Sequence, residues 1–443
     1  MFRNGIEICP RIVSAVFIGL AVLLLPVRAF TQQAVVPLQL SFSDPGARSA
    51  GLGGAFVALA DDATAAFANP AGLVQLLKPE ISIEVRNWSH SIPYTASGRV
   101  EGDPSGQGLD VSPGITRSEA SYDTTGLSFL SLVWPAGDWS FALYRHQYAD
   151  LEFTGETQGF FGGGSDCCQT RWFDQQMDSK QDVVSYGLSG AYRFSDRFSV
   201  GLGLAYFDAS VESLTTEYLW DVDSETGFFG PTSFLPDRLA LTEYLFIEDS
   251  DWTFSGGFLW SPTSRWRVGG VYRQGPELGI GNDIIVGVAV DYGLPPGTVA
   301  IRNRDVPTKF PDIYGVGLSY RAFAEKLTLS FQWDRIEYSS IPQSMRLDDQ
   351  TIDDADELHF GAEYVFLESS PVIAVRLGAW LDPDHQMYAT VADPYIRAML
   401  PRGDDEWHYT AGLGLAMQRF QVDLAADLSE RVNTVSLSAI YNF

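Results

Sequence analysis

An alternation with period two begins at Glu80 and recurs to the last residue, and nothing else in this chain limits its fold so sharply. Ile81, Ile83 and Val85 alternate with Ser82, Glu84 and Arg86. Successive side chains of an extended backbone point to opposite faces, so this segment carries one apolar and one polar face. The pattern returns in Trp139, Phe141 and Leu143 against Ser140 and Ala142, and in Val184, Tyr186 and Leu188 against Ser185, Gly187 and Ser189. It continues through Phe198–Tyr206, Tyr314–Tyr320, Leu327–Trp333, Leu358–Phe366, Tyr409–Met417, Phe420–Leu428 and Val435–Phe443. With weaker segments at 125–133, 252–260, 266–272 and 373–381, the count is about fourteen strands, an even number.

A soluble sandwich would bury its apolar face and show water its polar one. Here the polar face carries Ser, Thr, Gly, Gln and scattered charges, a poor protein core but a suitable wall for a wet or partly filled lumen. Tryptophans near segment ends, at Trp88, Trp134, Trp260, Trp266 and Trp380, read as girdles at two lipid interfaces. The connections alternate in length. Pro135–Asp138, Ser195–Arg197, Ser261–Arg265 and Ala322–Lys326 are short, whereas His90–Tyr122, Asp208–Asp251 and Gln274–Pro311 are long. That is the asymmetry of outer-membrane barrels, with tight periplasmic turns and longer outside loops. Closing the sheet also removes edge strands that would invite aggregation. The chain is therefore expected to be all-β: an antiparallel transmembrane β-barrel of about 14 strands over residues 80–443, with an N-terminal plug containing short helices. Its last segment, ending in Phe443, resembles the aromatic C-terminal strand that barrel assembly machinery recognises, and localisation to the bacterial outer membrane follows.

Residues 1–29 read as a secretory signal, with Arg3 and Arg11 ahead of the apolar run Ile12–Val27 and a small-residue cleavage site at Val27-Arg28-Ala29. Between signal and barrel, residues 30–79 alternate with nothing. Their block Gly46–Leu73 is rich in Gly and Ala, and Gly51, Gly53 and Gly54 permit backbone angles other residues avoid. Asp61 or Asp62 is placed to cap a short helix through Ala63–Ala68, and Pro70 stops it at Asn69. A compact plug inside the lumen is the expectation.

The formal net charge of −27 argues against a nucleic-acid partner. Acids cluster between apolar segments, as in Glu248–Trp252 and Asp348–Glu357. They read either as solvated loops or as divalent-cation bridges to lipopolysaccharide and the outer-membrane lipids, since hard cations prefer oxygen ligands. Cys9 falls within the signal, which leaves the adjacent Cys167 and Cys168. That pair is a local loop feature, a strained vicinal disulfide or a redox pair, and it cannot make a four-cysteine zinc site. No cofactor motif is evident: Gly51–Phe56 lacks the third glycine and the βαβ context of a dinucleotide fingerprint. None of the 5 histidines sits in a hydrolase or metalloprotease motif, so the chain is not expected to be an enzyme.

The block Gly46–Leu73, with Ala60-Asp61-Asp62 and Asn69-Pro70-Ala71, resembles the N-terminal hatch of the FadL/TodX (OMPP1) family of outer-membrane transporters for long-chain fatty acids and other hydrophobic compounds. Further likeness lies in Gly315–Ser339, His359–Phe366 and Val375–Asp384. The resemblance implies a fourteen-stranded barrel plugged by its N-terminus, and passive transport of a hydrophobic small molecule with no cofactor. Gly51, Gly53, Gly54, Ala60, Asp61, Asp62, Asn69, Pro70 and Ala71 are then the hatch positions. Phe56 and Phe67 either line a greasy pocket or pack structurally. Arg86 and Arg376, on the inward face, either meet a ligand carboxylate or brace the wall against inward acids such as Glu84 and Glu363. A structural or secretion-partner barrel without small-molecule transport stays open as the alternative.

Overall fold

The computed structural model describes residues 44–162, 170–171, 174–219, 230, 234–280, 284–288, 298–302, 306–345 and 348–443. The segment read as a secretory signal, residues 30–43 of the expected plug, and Cys167 and Cys168 lie outside the described residues. Fourteen strands close an antiparallel barrel. They are β1 (Glu80–Arg99), β2 (Gly114–Ala136), β3 (Trp139–Thr157), β4 (Asp174–Ser195), β5 (Phe198–Tyr218), β6 (Leu239–Trp260) and β7 (Trp266–Arg273), followed by β8 (Ile313–Ala322), β9 (Leu327–Ile336), β10 (Ala355–Phe366), β11 (Val372–Asp382), β12 (Glu406–Ala416), β13 (Phe420–Leu428) and β14 (Val432–Asn442). Each pairs with its neighbour in sequence, and β14 closes on β1 from Glu80↔Asn442 to His90↔Val432. Among the described residues no helix is long and apolar enough to cross a membrane; the strands do so.

The alternation fixes which face meets lipid. Ile81, Ile83 and Val85 are exposed, while Ser82, Glu84 and Arg86 are buried against the lumen contents. Leu202, Leu377 and Tyr409, at 70%, 63% and 64% exposure, belong to the same outer band, an inversion of a soluble protein's core that only a lipid surround stabilises. Trp134, Trp260 and Trp266 lie on this outer face as the girdle reading expects. Trp88 and Trp380 do not. Trp88 is 8% exposed and shares parity with Glu84 and Arg86, and Trp380 shares parity with the buried Arg376. Both turn inward, and the period-two count already required it.

The strands are unequal. The first six have 20, 23, 19, 22, 21 and 22 residues, whereas β7 to β14 have 8 to 12. About 9–11 tilted residues cross a bilayer, so β1–β6 stand well clear of it on the loop side. Much of what reads as long loops at His90–Tyr122 and Asp208–Asp251 is therefore continued hairpin.

One seam is incomplete. β2 and β3 pair only from Ala136↔Trp139 to Phe129↔His146; beyond that point β2 pairs with β1 alone and β3 with β4. Bulges flank the opening, at Ser128 on β2 and between Gln147 and Ala149 on β3. The first turns Phe129 inward to 0% exposure. Side chains partly bridge the seam: Arg145 donates to the Leu127 carbonyl and Thr124 Oγ1 to Asp150 Oδ2 at 3.1 Å.

Candidate functional site

The plug fills the lumen at the end with short turns. It contains two short helices, α1 (Ala47–Gly51) and α2 (Ala65–Ala68), and a 3₁₀ turn at Pro70–Gln75. The helix α2 is shorter than Ala63–Ala68, because Asp62 Oδ1 accepts from the Thr64 amide at 2.9 Å and so builds a turn ahead of the helix rather than capping it. Burial pushes the Asp62 carboxyl above the usual carboxylate range, against the pull of Arg48. Asp61 does not cap either; it accepts from Arg48.

So little of this plug is regular that its backbone groups need partners, and the polar inward face of the barrel supplies them. Ser131 Oγ donates to Ala63 O at 3.2 Å, Ser189 Oγ to Ala66 O at 2.6 Å, Ser199 Oγ to Ala71 O at 2.8 Å, and Thr410 Oγ1 to Gly51 O at 3.2 Å. Gln332 Oε1 accepts from the amides of both Phe56 (2.9 Å) and Val57 (2.8 Å). Asn69 joins three partners. Its Oδ1 accepts from Ala71 N at 3.2 Å, and its Nδ2 donates to Val57 O at 2.9 Å and to Phe258 O on the wall at 3.2 Å. A Cβ on Gly257 would sit 2.2 Å from Asn69 Oδ1, so this approach requires glycine on β6. Pro70 opens the 3₁₀ turn, Ala71 and Gly51 are fully enclosed, and Ala60 takes φ +35°. Gly53 and Gly54 adopt φ +62° and +77°, which carries the chain past β10 and β11 with Gly54 against His359.

Ion pairs hold the plug from the side. Arg48 reaches Glu363 on β10 through Nε and Nη2, both at 3.0 Å, and Glu363 also accepts from Arg376 Nε at 2.6 Å. Arg376 continues to Asp423 on β13 at 2.7 Å. Arg86 donates to Glu84 at 2.9 Å and to the Asp44 carbonyl at 3.3 Å, and Arg273 to Asp44 Oδ1 at 2.6 Å. Arg86 and Arg376 thus both lie in wall-to-plug networks. Phe56 is buried beneath the Arg48 guanidinium, 5.7 Å from its ring centre, and lines neither lumen cavity described below.

Among the cavities that touch plug residues, two lie along the lumen. One is apolar, lined by Phe67, Tyr144, Tyr148, Ala205, Phe207 and Ile313, and it lies along β3 where that strand's pairing to β2 ends. The other is polar, and faces β9 to β14 with Asp334, Glu357, His359, Trp380, His385 and His408 among its walls. Arg273 borders both, with its guanidinium 5.1 Å from the Phe67 ring centre. Of the expected ligand residues Phe67 lines the first cavity and Arg86 the second. Tyr148, Phe207 and the Asp334–Glu357–His359 group escaped sequence reasoning, although each sits at an inward parity that a strand register would have exposed.

The clustered acids have local work, and Glu248–Trp252 lies within β6 and Asp356 within β10 rather than in loops. Asp249 accepts from Gly279 N and Asp251 from Glu277 N at 2.8 Å, while Asp353 pairs with Arg402 and Asp354 and Asp356 with Arg335.

A closed barrel, short turns on one side and a hydrogen-bonded plug define an outer-membrane protein of the plugged type. Over residues 40–428 the sequence matches the family described as outer membrane protein transport protein (OMPP1/FadL/TodX), and the chain belongs to that family. The bacterial outer membrane is its location. Among solved structures it is similar to a Pseudomonas aeruginosa FadL homologue (18% identity, TM-score 0.62, 91% of this chain and 99% of that one). It is similar also to the P. putida toluene transporter TodX (14%, 0.58, 91% and 99%) and the Ralstonia pickettii toluene transporter TbuX (15%, 0.56, 91% and 99%). At these identities the likeness is one of fold. No curated protein matches the sequence.

Proposed function

We propose that this protein carries hydrophobic small molecules, long-chain fatty acids or hydrocarbons, passively across the outer membrane through the hatch-plugged barrel. Cargo enters above the hatch, passes through the apolar cavity as its lining side chains part from the about 20 Å³ of space seen here, and leaves sideways into the bilayer where β2 and β3 are unpaired. The carrying observation is the position of that cavity: Tyr148 belongs to it and lies two residues beyond His146, the last β3 residue paired to β2. Partition of apolar surface out of water, about 0.8 kcal/mol per CH₂, supplies the direction together with the concentration gradient. The names of two structural relatives assign toluene to them, and an uncharged hydrocarbon suits this lumen better than a carboxylate does. Arg48, Arg86, Arg273 and Arg376 are each already ion-paired with an acid, so a fatty-acid head group would have to displace one.

The test is uptake of an alkylbenzene and of a long-chain fatty acid by a deletion strain complemented with wild type or with Ala205→Trp, which fills the cavity from β5. Ala205→Trp should assemble as a heat-modifiable barrel and take up the alkylbenzene several-fold more slowly than wild type. Equal uptake by deletion strain and wild type across the panel would remove transport. Equal uptake by wild type and variant would remove this path.

A further inference from the structure

Asp334 on β9 and Glu357 on β10 are directly opposite each other in the ladder, and so are Gln332 and His359. This register brings one oxygen of each acid and His359 Nε2 to within 4.8 Å of one another, with Nε2 3.1 Å from Glu357 Oε2 and 3.4 Å from Asp334 Oδ2. The other ring nitrogen is held by the hatch. His359 Nδ1 is 2.7 Å from the carbonyl of Gly53, which can only accept, so Nδ1 holds the proton. Nε2 therefore faces the two carboxylates, a three-group cluster that either a proton on Nε2 or a cation among the groups satisfies. Tetrahedral ligands at about 2.1 Å from zinc are about 3.4 Å apart, close to both distances found here.

A second observation concerns the lone pairs around this group. Asp334 is 5% exposed, and its Oδ1, beside Gly315 on β8, has no hydrogen-bond partner among the described residues. His408, 3% exposed on the same cavity, likewise leaves Nε2 without one. These are buried lone pairs in a polar cavity, where an unmet group is costly. Metal ligands are normally oriented by outer hydrogen bonds. Those bonds exist here, one from the hatch itself and one from a wall residue that the hatch engages. Gly53 O holds His359, and Gln332 Nε2 donates to Asp334 Oδ2 at 2.7 Å while its Oε1 holds the amides of Phe56 and Val57.

We propose that Asp334, Glu357 and His359 bind one divalent transition-metal cation of the zinc class, and that this cation fastens the hatch to the barrel wall. An imidazole nitrogen with two carboxylates selects such ions over Ca²⁺ and Mg²⁺, which prefer oxygen alone. Because the seated hatch orients two of the three ligands, cation binding and hatch seating reinforce each other.

The experiment uses the full chain in detergent, stripped with chelator and titrated with Zn²⁺ alone. One ion per chain should bind. His359→Gln and Asp334→Asn, each checked for heat-modifiability, should weaken binding by about tenfold or more. Co²⁺ should give visible absorption of a nitrogen-ligated site in wild type and lose it in His359→Gln. Zn²⁺ should slow hydrogen exchange at the Phe56 and Val57 amides in wild type only. Absence of binding, or binding unchanged in both variants, overturns the site and assigns the cluster to a proton shared by His359 and the acids. Equal binding of Ca²⁺ overturns the metal class. Binding without altered exchange at Phe56 and Val57 overturns the fastening role.

Discussion

Glu363 on the barrel wall and Arg48 in the hatch meet through two parallel hydrogen bonds of 3.0 Å each, a fork that fixes direction as well as distance. Arg48 is close also to Asp61 and Asp62, and Glu363 to Arg376, so the pair joins the plug's internal turn to the ladder of β10 and β11. Removing one partner of a buried pair leaves the other charge uncompensated, typically at a cost of about 3–5 kcal/mol. Glu363→Ala should therefore loosen the hatch while leaving the barrel closed. Protease cleavage within residues 44–79 should rise in the variant, with heat-modifiability on gels unchanged. A hatch as resistant as wild type would show that the backbone contacts alone hold it.

Asn69 and Pro70 make a second, separable attachment. Replacing both with alanine removes the bonds from Asn69 to Ala71, Val57 and Phe258, and lifts the restriction that ends α2 at Ala68. The loss of the side-chain cap alone costs about 0.5–2 kcal/mol. The barrel should still reach the membrane in normal amount, since its ladder does not depend on the plug. Uptake of a hydrophobic compound should change. Loss of a secreted protein's surface attachment in place of altered uptake would favour the secretion-partner role instead.

What was legible in the sequence follows the lipid. Ile81, Ile83 and Val85 announce β1 because the bilayer demands an apolar residue at every outward position. From Ser89 to Arg99 the strand has water on its outer side, the demand lapses, and the segment reads as loop although its pairing with β2 continues to Arg99↔Gly114. Parity also carried Glu84 and Arg86 to one face, two residues apart. It could not place Asp334 beside His359, because contact between strands depends on register, and register is set by turns and bulges that the alternation does not encode. The polar lumen face hides its purpose for the same reason. Ser189 and Ser199 look like generic wet-wall residues until the plug's carbonyls are in place above them.

Topology offers a check independent of transport. A peptide tag inserted at Asp353, in the connection between β9 and β10, should be reached by antibody on intact cells. Tags at Gly137, between β2 and β3, or at Pro262, between β6 and β7, should be reached only after the outer membrane is opened. Gly163 and Ser224 lie outside the described residues, and tags there should label like Asp353. The reverse pattern would invert the barrel and put the plug at the outside.

His385 makes the loop between β11 and β12 sensitive to pH. Burial opposes charging this imidazole, but Asp382 at 3.2 Å and the Pro383 carbonyl at 3.1 Å outweigh it, with a smaller pull from Glu357, and its pKa is pushed up to about 9. Its ring stacks on Tyr338, with centres 4.7 Å apart and planes 9° from parallel, which ties the loop to the connection after β9. The ordinary value is about 6.5, so the folded form binds the proton more tightly than the unfolded loop. The resulting stabilisation is complete below about pH 6.5, declines above it, and is gone once the pH has passed through about 9. Arg402, with 61% of its side chain exposed, offers trypsin a site in the same loop. Cleavage after Arg402, normalised to an unstructured peptide at each pH, should increase from pH 7 to pH 9.5 in the wild-type protein. His385→Gln should start at the higher rate and stay flat, so that the two curves meet at the alkaline end. Parallel curves would mean that the His385 proton does not hold this loop.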